Sequence, residues 1–272
     1  MAQSVDLDTY FARIGYAGPR EATLEVLTAL HALHTTTIPF ECLNPLMGLP
    51  VELDLDALQA KLVGQRRGGY CYEQNALFKA VLEALGFSVT GLAARVRWMA
   101  PPDAPLGARS HMLLKVDLAD GPYLADVGFG GHILGEPIRL VAGMEQSAPS
   151  AALRLDDLGR GALMLRTLLS TGWQDIYRFD LEPQHPADYV VSNWFSSTFP
   201  TSIFVNGLLA ERLTPEARFS LFNRKLTTRW ADGRTEQRAL TGPDDLAQVL
   251  DQAFNLTSPA PAEAVWAKLP PE

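Results

Sequence analysis

Cys71 is the leading candidate for a chemically active residue in this sequence, because of its type and its position. Gly68 and Gly69 precede it, and a helical pattern begins at it and ends at Gly86. A thiol at a helix N-terminus loses its proton more readily, because free backbone N–H groups and the helix dipole favour an anion. The two glycines would let a substrate carbonyl approach the same N–H groups, which could then hold the oxyanion of an acyl-transfer reaction. A buried structural cysteine is the alternative interpretation.

A thiolate nucleophile needs a histidine to take its proton, and His111 is the best candidate among five histidines. His111 begins an apolar predicted strand, and Asp126 lies in the next predicted strand. A polar or charged group in such a strand needs a partner. If the two strands form a hairpin, the carboxylate orients the ring, as in a nucleophile–base–orienter triad. A His–Asp pair with a purely structural role is the alternative.

The register of this hairpin is left open by the sequence. A four-residue loop over residues 117–120 sets His111 directly opposite Asp126. A two-residue turn at Asp120 and Gly121 instead sets Asp126 opposite Lys115.

The predicted secondary structure that must position these residues changes from helices to strands along the chain. Apolar spacing predicts helices that begin at Leu7, at Leu24, at Asp54 or Asp56, and at Cys71, the second ending before Pro39. His31 and His34, on the second helix, are expected to cap it or to be partly exposed.

Strands are predicted from residue 87 onward, where β-branched and aromatic residues alternate with turn residues. They cover residues 89–98, 111–116, 123–127, 163–169, 174–179, 203–209, 219–222 and 226–230. A helix is predicted from Pro243, and the proline-rich residues after 258 are expected to be loosely ordered. Helices first and strands later argue against an alternating parallel sheet.

The composition indicates a globular protein with a large core, since 47% of the 272 residues are hydrophobic. A formal charge of −8 with no basic run argues against nucleic-acid or membrane partners. The first residues do not resemble a signal peptide, and no apolar run is long enough to span a membrane. Two cysteines cannot form a disulfide framework, so a cytoplasmic location is expected. No Cys/His cluster has metal-ligand spacing, and no metal is expected.

Residues 67–75, Arg-Gly-Gly-Tyr-Cys-Tyr-Glu-Gln-Asn, resemble the active-site signature of the arylamine N-acetyltransferases. Further segments resemble this family in the same order, at residues 13–16, 38–41, 94–96, 111–114, 126–130, 193 and 196–204. Cys42 stands where the family commonly has Asn, and Phe199 where it often has His. These departures bear on acceptor preference more than on the triad. For Arg66 and Arg67 we expect a structural ion pair, with Glu73 as one candidate partner.

The resemblance implies an α+β fold with a Cys-His-Asp core like that of cysteine proteases. Its parts would be an N-terminal helical bundle (residues 1–90), a central antiparallel β-barrel (91–205) and a C-terminal α/β lid (206–272). Cys71 would be the nucleophile, His111 the base and acid, and Asp126 the orienting carboxylate.

The same resemblance implies acetyl transfer from acetyl-CoA, a co-substrate, to an arylamine, arylhydrazine or arylhydroxylamine through an acetyl-cysteine. The residues that would line the acceptor pocket are Phe40, Val96, Phe129 and Phe204. Gly130 and Gly131 could bring backbone amides to the coenzyme pyrophosphate, or form a plain loop. The alternatives are a cysteine hydrolase or amide-exchange enzyme of the papain or transglutaminase type, and a binding module without catalysis. The sequence does not predict the oligomeric state.

Overall fold

The computed structural model describes residues 4–101, 103–148 and 151–270. Its helices are α1 (Leu7–Ile14), α2 (Leu24–Thr37), α3 (Leu43–Met47), α4 (Leu55–Leu58), α5 (Cys71–Ala84), α6 (Pro186–Thr198), α7 (Ile203–Asn206), α8 (Pro243–Gln252) and α9 (Ala262–Lys268), with a π-helical segment, Gln59–Gly64, after α4. Its strands are β1 (Phe40–Glu41), β2 (Ser88–Val96), β3 (His111–Leu118), β4 (Gly121–Ala125), β5 (Ile138–Arg139), β6 (Glu145–Ser147), β7 (Ala152–Asp157), β8 (Leu163–Leu169), β9 (Gly172–Phe179), β10 (Leu209–Leu213), β11 (Ala217–Phe222), β12 (Lys225–Trp230) and β13 (Thr235–Ala239).

The N-terminal helices begin at side chains that accept hydrogen bonds from the first turn. Asp6 accepts from the Thr9 N–H at 3.0 Å to begin α1, and Asp54 accepts from the Ala57 N–H at 2.9 Å to begin α4. Asp54 is thus the cap among the two candidates that the sequence offered. These helices bury an apolar core that continues into α5 and into the outer face of β3.

The larger sheet is antiparallel, with the strand order β5-β4-β3-β2-β9-β8-β7-β6. The Gln146 side chain in β6 joins the two edges, because it accepts from the Arg139 N–H (2.7 Å) and donates to the Arg139 carbonyl (2.9 Å) in β5. Leu92, Leu113 and Leu165 fill the interior of this barrel. The helical bundle, the barrel and a C-terminal α/β unit confirm the predicted fold class.

The β3–β4 hairpin has neither of the two predicted registers. Leu114 pairs with Ala125, and Leu118 pairs with Gly121, so the two-residue turn is Ala119-Asp120. Gly121 has a φ of +126°, which glycine adopts readily, and it begins the return strand. Since β4 ends at Ala125, Asp126 has left the ladder and can turn towards the first residue of β3.

The smaller sheet has the order β1-β10-β11-β12-β13 and packs on α8 and α9. The predicted strand over residues 203–209 is wrong. Ser202 accepts a hydrogen bond from the Phe204 N–H at 3.3 Å and begins the short helix α7, and the strand β10 starts only at Leu209.

The C-terminal residues also differ from the prediction. The prediction of loose order after residue 258 is wrong, because α9 forms there. Val265 and Leu269 are buried with Leu246 and Phe254 of the α8 region, so apolar contacts outweigh the proline content. Among the described residues, none of the helices has the length and apolar character needed to cross a membrane.

Candidate active site

Cys71 is the first residue of α5, and its side chain is 3% exposed. Glu73 stabilises the start of α5, because its carboxylate accepts a hydrogen bond from the Tyr70 N–H at 3.1 Å. Glu73 also forms a buried ion pair with Lys61 at 2.6 Å. The sulfur of Cys71 lies 3.8 Å from the carbonyl oxygen of Ser110. The thiol is therefore placed at the point where the helical bundle meets the barrel.

His111 and Asp126 lie beside this thiol. Nε2 of His111 is 2.7 Å from a carboxylate oxygen of Asp126, and both side chains are buried. Cys71 and His111 line the same cavity, and Nδ1 is the ring nitrogen that the bond to Asp126 leaves available. The ring packs between Phe129 and Tyr177, with centroids at 5.1 and 5.0 Å. The structure thus brings the three predicted catalytic residues together.

The charged forms of His111 and Asp126 stabilise each other. Burial by itself lowers the pKa of His111, but the charge and hydrogen bond of Asp126, together with Cys71, raise it to about 10. Burial by itself raises the pKa of Asp126, whereas His111 and hydrogen bonds from Asn75 and Gly128 hold it below its usual value. At neutral pH the pair is therefore an imidazolium and a carboxylate, which places a cation beside the thiol.

Asn75 fixes the position of the Asp126 carboxylate through hydrogen bonds. Its amide nitrogen donates to Asp126 at 3.0 Å and to the Met112 carbonyl at 2.8 Å, and its oxygen accepts from the Val127 N–H at 3.1 Å. The sequence alone did not point to Asn75. The available signal was its position one helical turn after Cys71, on the same face of α5.

His31 and His34 are fully buried, so the expected capping or partly exposed role is wrong. His31 Nε2 accepts from the Asp126 N–H at 3.2 Å. His34 lies between the Tyr10 hydroxyl (2.8 Å) and the Gln74 side-chain oxygen (2.6 Å). Burial lowers the pKa of His31 to about 4 and that of His34 to about 3, so both are neutral at pH 7.

A cavity of about 280 Å³ opens beside Cys71 and His111. Phe40, Val96, Phe129 and Phe204, the four residues that the family resemblance assigned to the acceptor pocket, all line it, as do Gly130 and Gly131. Trp98, Ile203 and Leu209 also line it, and the sequence did not point to them. The cavity is mostly apolar and aromatic, and its volume lies near the lower end of the usual range for small-molecule sites, roughly 300–1,000 Å³.

The comparisons with known proteins show the family to which this chain belongs. The sequence model of a family described as N-acetyltransferase matches residues 23–261. The chain belongs to this family. It is 45% identical to the arylamine N-acetyltransferase of Mycolicibacterium smegmatis over 255 residues, which are 93% of this chain and 91% of that protein.

Solved structures of acetyltransferases share the whole fold. The arylamine N-acetyltransferase of Mycobacterium marinum is 42% identical, with a TM-score of 0.93, and the match covers 97% of this chain and 99% of that one. The structure of the M. marinum protein in complex with CoA gives a TM-score of 0.92 at 41% identity, covering 97% and 98% of the two chains. Within the described residues, no group of three His, Cys, Asp or Glu side chains could hold a metal ion.

The glycines near this candidate site have steric roles. A Cβ at Gly128 would lie 2.7 Å from Cα of Cys71, so glycine is needed for the loop after Asp126 to approach α5. A Cβ at Gly130 would lie 2.3 Å from the Phe40 ring. The Gly69 N–H donates to the Pro39 carbonyl at 3.4 Å, so Gly69 is not free to bind an oxyanion. The remaining candidate donors are the first N–H groups of α5.

The two departures from the family pattern lie outside the cavity lining. The Cys42 sulfur accepts from the Leu209 N–H at 3.1 Å, and burial raises the pKa of this thiol to about 12. The Phe199 ring stacks on Phe195 with centroids at 4.6 Å.

The ion pair predicted near Cys71 forms with a different partner. Arg67 binds Glu41 at 2.8 Å, while Glu73 is already paired with Lys61.

Proposed function

We propose that this protein transfers the acetyl group of acetyl-CoA to the nitrogen of an arylamine, arylhydrazine or arylhydroxylamine through an acetyl-cysteine intermediate. The main support is that Cys71 and His111 line an aromatic cavity, with Asp126 bonded to His111, in a chain of the N-acetyltransferase family.

In the first half-reaction, the Cys71 thiolate attacks the thioester carbonyl of acetyl-CoA. The imidazolium of His111 balances the charge of the thiolate, and the first N–H groups of α5 stabilise the tetrahedral oxyanion. The C–S bond to the coenzyme breaks, His111 gives its proton to the departing CoA sulfur, and Cys71 is left acetylated. Exchange of one thioester for another costs little free energy.

In the second half-reaction, the lone pair of the acceptor nitrogen attacks the acetyl-cysteine. His111, now neutral, takes the proton from that nitrogen, and the Cys71 thiolate departs. Aromatic amines suit this step, because they are weakly basic and uncharged at pH 7. A flat ring also suits a cavity lined by Phe40, Phe129 and Phe204.

Gly130 and Gly131 are proposed to bring the coenzyme past the cavity mouth. Neither position has space for a side chain: a Cβ at Gly131 would lie 2.5 Å from the Trp98 ring. A backbone without side chains can approach a pyrophosphate closely, and its N–H groups can donate to it.

The deciding experiment is incubation with acetyl-CoA alone, followed by peptide mass spectrometry. We expect one acetyl group on the peptide with Cys71 and none on the peptide with Cys42, whose buried thiol has no access to the cavity. Cys71→Ala should carry no acetyl group, and Cys42→Ala should be labelled like the wild type. An unlabelled Cys71 would exclude the acetyl-cysteine.

The two alternatives give different results. A cysteine hydrolase would release free acetate from acetyl-CoA without an amine, and a binding module would release no CoA at all. We expect CoA release beyond the first equivalent per enzyme to depend on the arylamine, measured over a panel of arylamines and hydrazines.

A further inference from the structure

Two arginines face each other on the outer surface of the barrel. The antiparallel pairing of β2 with β9 sets Arg95 directly opposite Arg178. Like charges in this position destabilise a sheet. Within the described part of the chain, the ion pairs include neither Arg95 nor Arg178.

These two arginines line an open cavity of about 380 Å³ together with Arg109 and Asp180. Arg109 is paired with Asp180 at 2.5 Å. Three guanidinium groups and one carboxylate leave two uncompensated positive charges in one concave site. The Arg95 side chain also donates to the Gly107 carbonyl, which fixes the loop that forms one wall.

This cavity is distinct from the acetyl-transfer cleft. Val96 lines the cleft, and side chains alternate between the two faces of a strand, so Arg95 points to the opposite face of β2. The two sites are nevertheless connected through the chain, because Arg109 is followed by Ser110, whose carbonyl oxygen is 3.8 Å from the Cys71 sulfur.

We propose that Arg95, Arg109 and Arg178 form a binding site for a dianionic phosphate group. Guanidinium groups bind phosphate oxygens in pairs of parallel hydrogen bonds, and a dianion would neutralise the two uncompensated charges. The phosphate can come from inorganic phosphate or from a phosphate monoester of a larger metabolite, since both present the same three terminal oxygens.

The test is a titration of the full chain with inorganic phosphate, with chloride adjusted to keep the ionic strength constant. We expect a saturable rise in the midpoint of thermal unfolding and saturable broadening of the phosphorus NMR signal, because a ligand of the native state stabilises it. Arg178→Gln should weaken this binding by about tenfold or more. Without phosphate, the same variant should unfold at a higher temperature than the wild type, because the like-charge pair is gone.

Arg234→Gln is the matched control. Arg234 is an exposed arginine of the β12–β13 hairpin that is paired with Asp232, and the variant should titrate like the wild type. If Arg178→Gln does not fold, Arg95→Gln removes the other half of the pair and should give the same loss.

A second titration with glycerol phosphate distinguishes the sources. Much tighter binding of the monoester would identify a phosphorylated metabolite, and equal binding would identify free phosphate; either result supports the site. A phosphate effect that does not saturate, or that is the same in Arg178→Gln and Arg234→Gln, would overturn the proposal.

Discussion

The Asp126 carboxylate accepts hydrogen bonds from Asn75 and the Gly128 N–H and forms an ion pair with His111. Because these partners are buried and fixed, the carboxylate holds the imidazole ring in one orientation. Polar residues in apolar strands indicated His111 and Asp126 from the sequence, because such groups must find partners. Asn75 and His31 gave no such signal, since their partners include backbone groups whose positions depend on the tertiary fold.

His111→Ala should reduce the rate at which iodoacetamide alkylates Cys71 at pH 7 by about tenfold or more, because the variant removes the cation that stabilises the thiolate. The rate is measured by mass spectrometry of the Cys71 peptide. His185→Ala, which changes the residue before α6, is the control and should react at the wild-type rate. A wild-type rate in His111→Ala would argue against the thiolate–imidazolium pair.

Asn75→Ala should lower kcat while leaving KM for the arylamine nearly unchanged, because Asn75 positions Asp126 and does not line the cavity. The loss of three buried hydrogen bonds should also lower the free energy of unfolding by about 2–4 kcal/mol. Steady-state kinetics and urea unfolding measure the two effects. A variant with reduced stability and an unchanged kcat would show that Asn75 is only structural.

At the level of elements, α1 and α2 follow from the sequence because each has a regular apolar period, and α5 follows because a helical stretch ends at Gly86. Strands β2 and β3 follow because β-branched, aromatic and other apolar residues are concentrated in them. The short helix α7 does not, since its apolar residues also fit a strand and only the Ser202 cap decides between them. Helix α9 forms because α8 and the smaller sheet offer it an apolar surface. That surface exists only in the folded protein.

Helix α2 should make the protein sensitive to acid through His34. Its pKa is about 3 in the folded protein and about 6.5 in the unfolded chain. Between these values the unfolded chain binds more protons, so the free energy of unfolding decreases as the pH falls from 6.5, by about 1.4 kcal/mol per pH unit. His34→Gln should remove the part of this pH dependence of the unfolding free energy that comes from His34, as measured by urea unfolding between pH 7 and pH 4.5. An unchanged slope would show that His34 is not the acid-sensitive group.

At the scale of the whole molecule, the residue pattern predicts helices in the first third and strands after it, whereas the bundle, the barrel and the C-terminal α/β part were predicted from the family resemblance. The division into residues 1–90, 91–205 and 206–272 stays a prediction, and so does the cytoplasmic location. Sheet membership crosses that division at β1, which pairs with β10. Strand β1 has only two residues and lies between two helices, so the sequence has no alternating pattern there that would predict it.

The packing of α9 on α8 should contribute to the stability of the C-terminal unit. Val265→Asp places a charge among Leu246, Phe254 and Leu269, and should lower the free energy of unfolding by about 3 kcal/mol or more. Ala267→Asp places the same charge on the exposed face of α9 and should change it by about 0.5 kcal/mol or less. Equal effects in urea unfolding would mean that α9 does not pack as described.

The pairing of Phe40 with Glu211 has a consequence for synthesis on the ribosome. The polypeptide emerges from its N-terminus, so Phe40 leaves the exit tunnel long before its sheet partner has been translated. One wall of the cavity beside Cys71 can therefore form only after β10 has been translated. A nascent chain stalled before residue 209 would contain Cys71, His111 and Asp126 and still have an unfinished cavity.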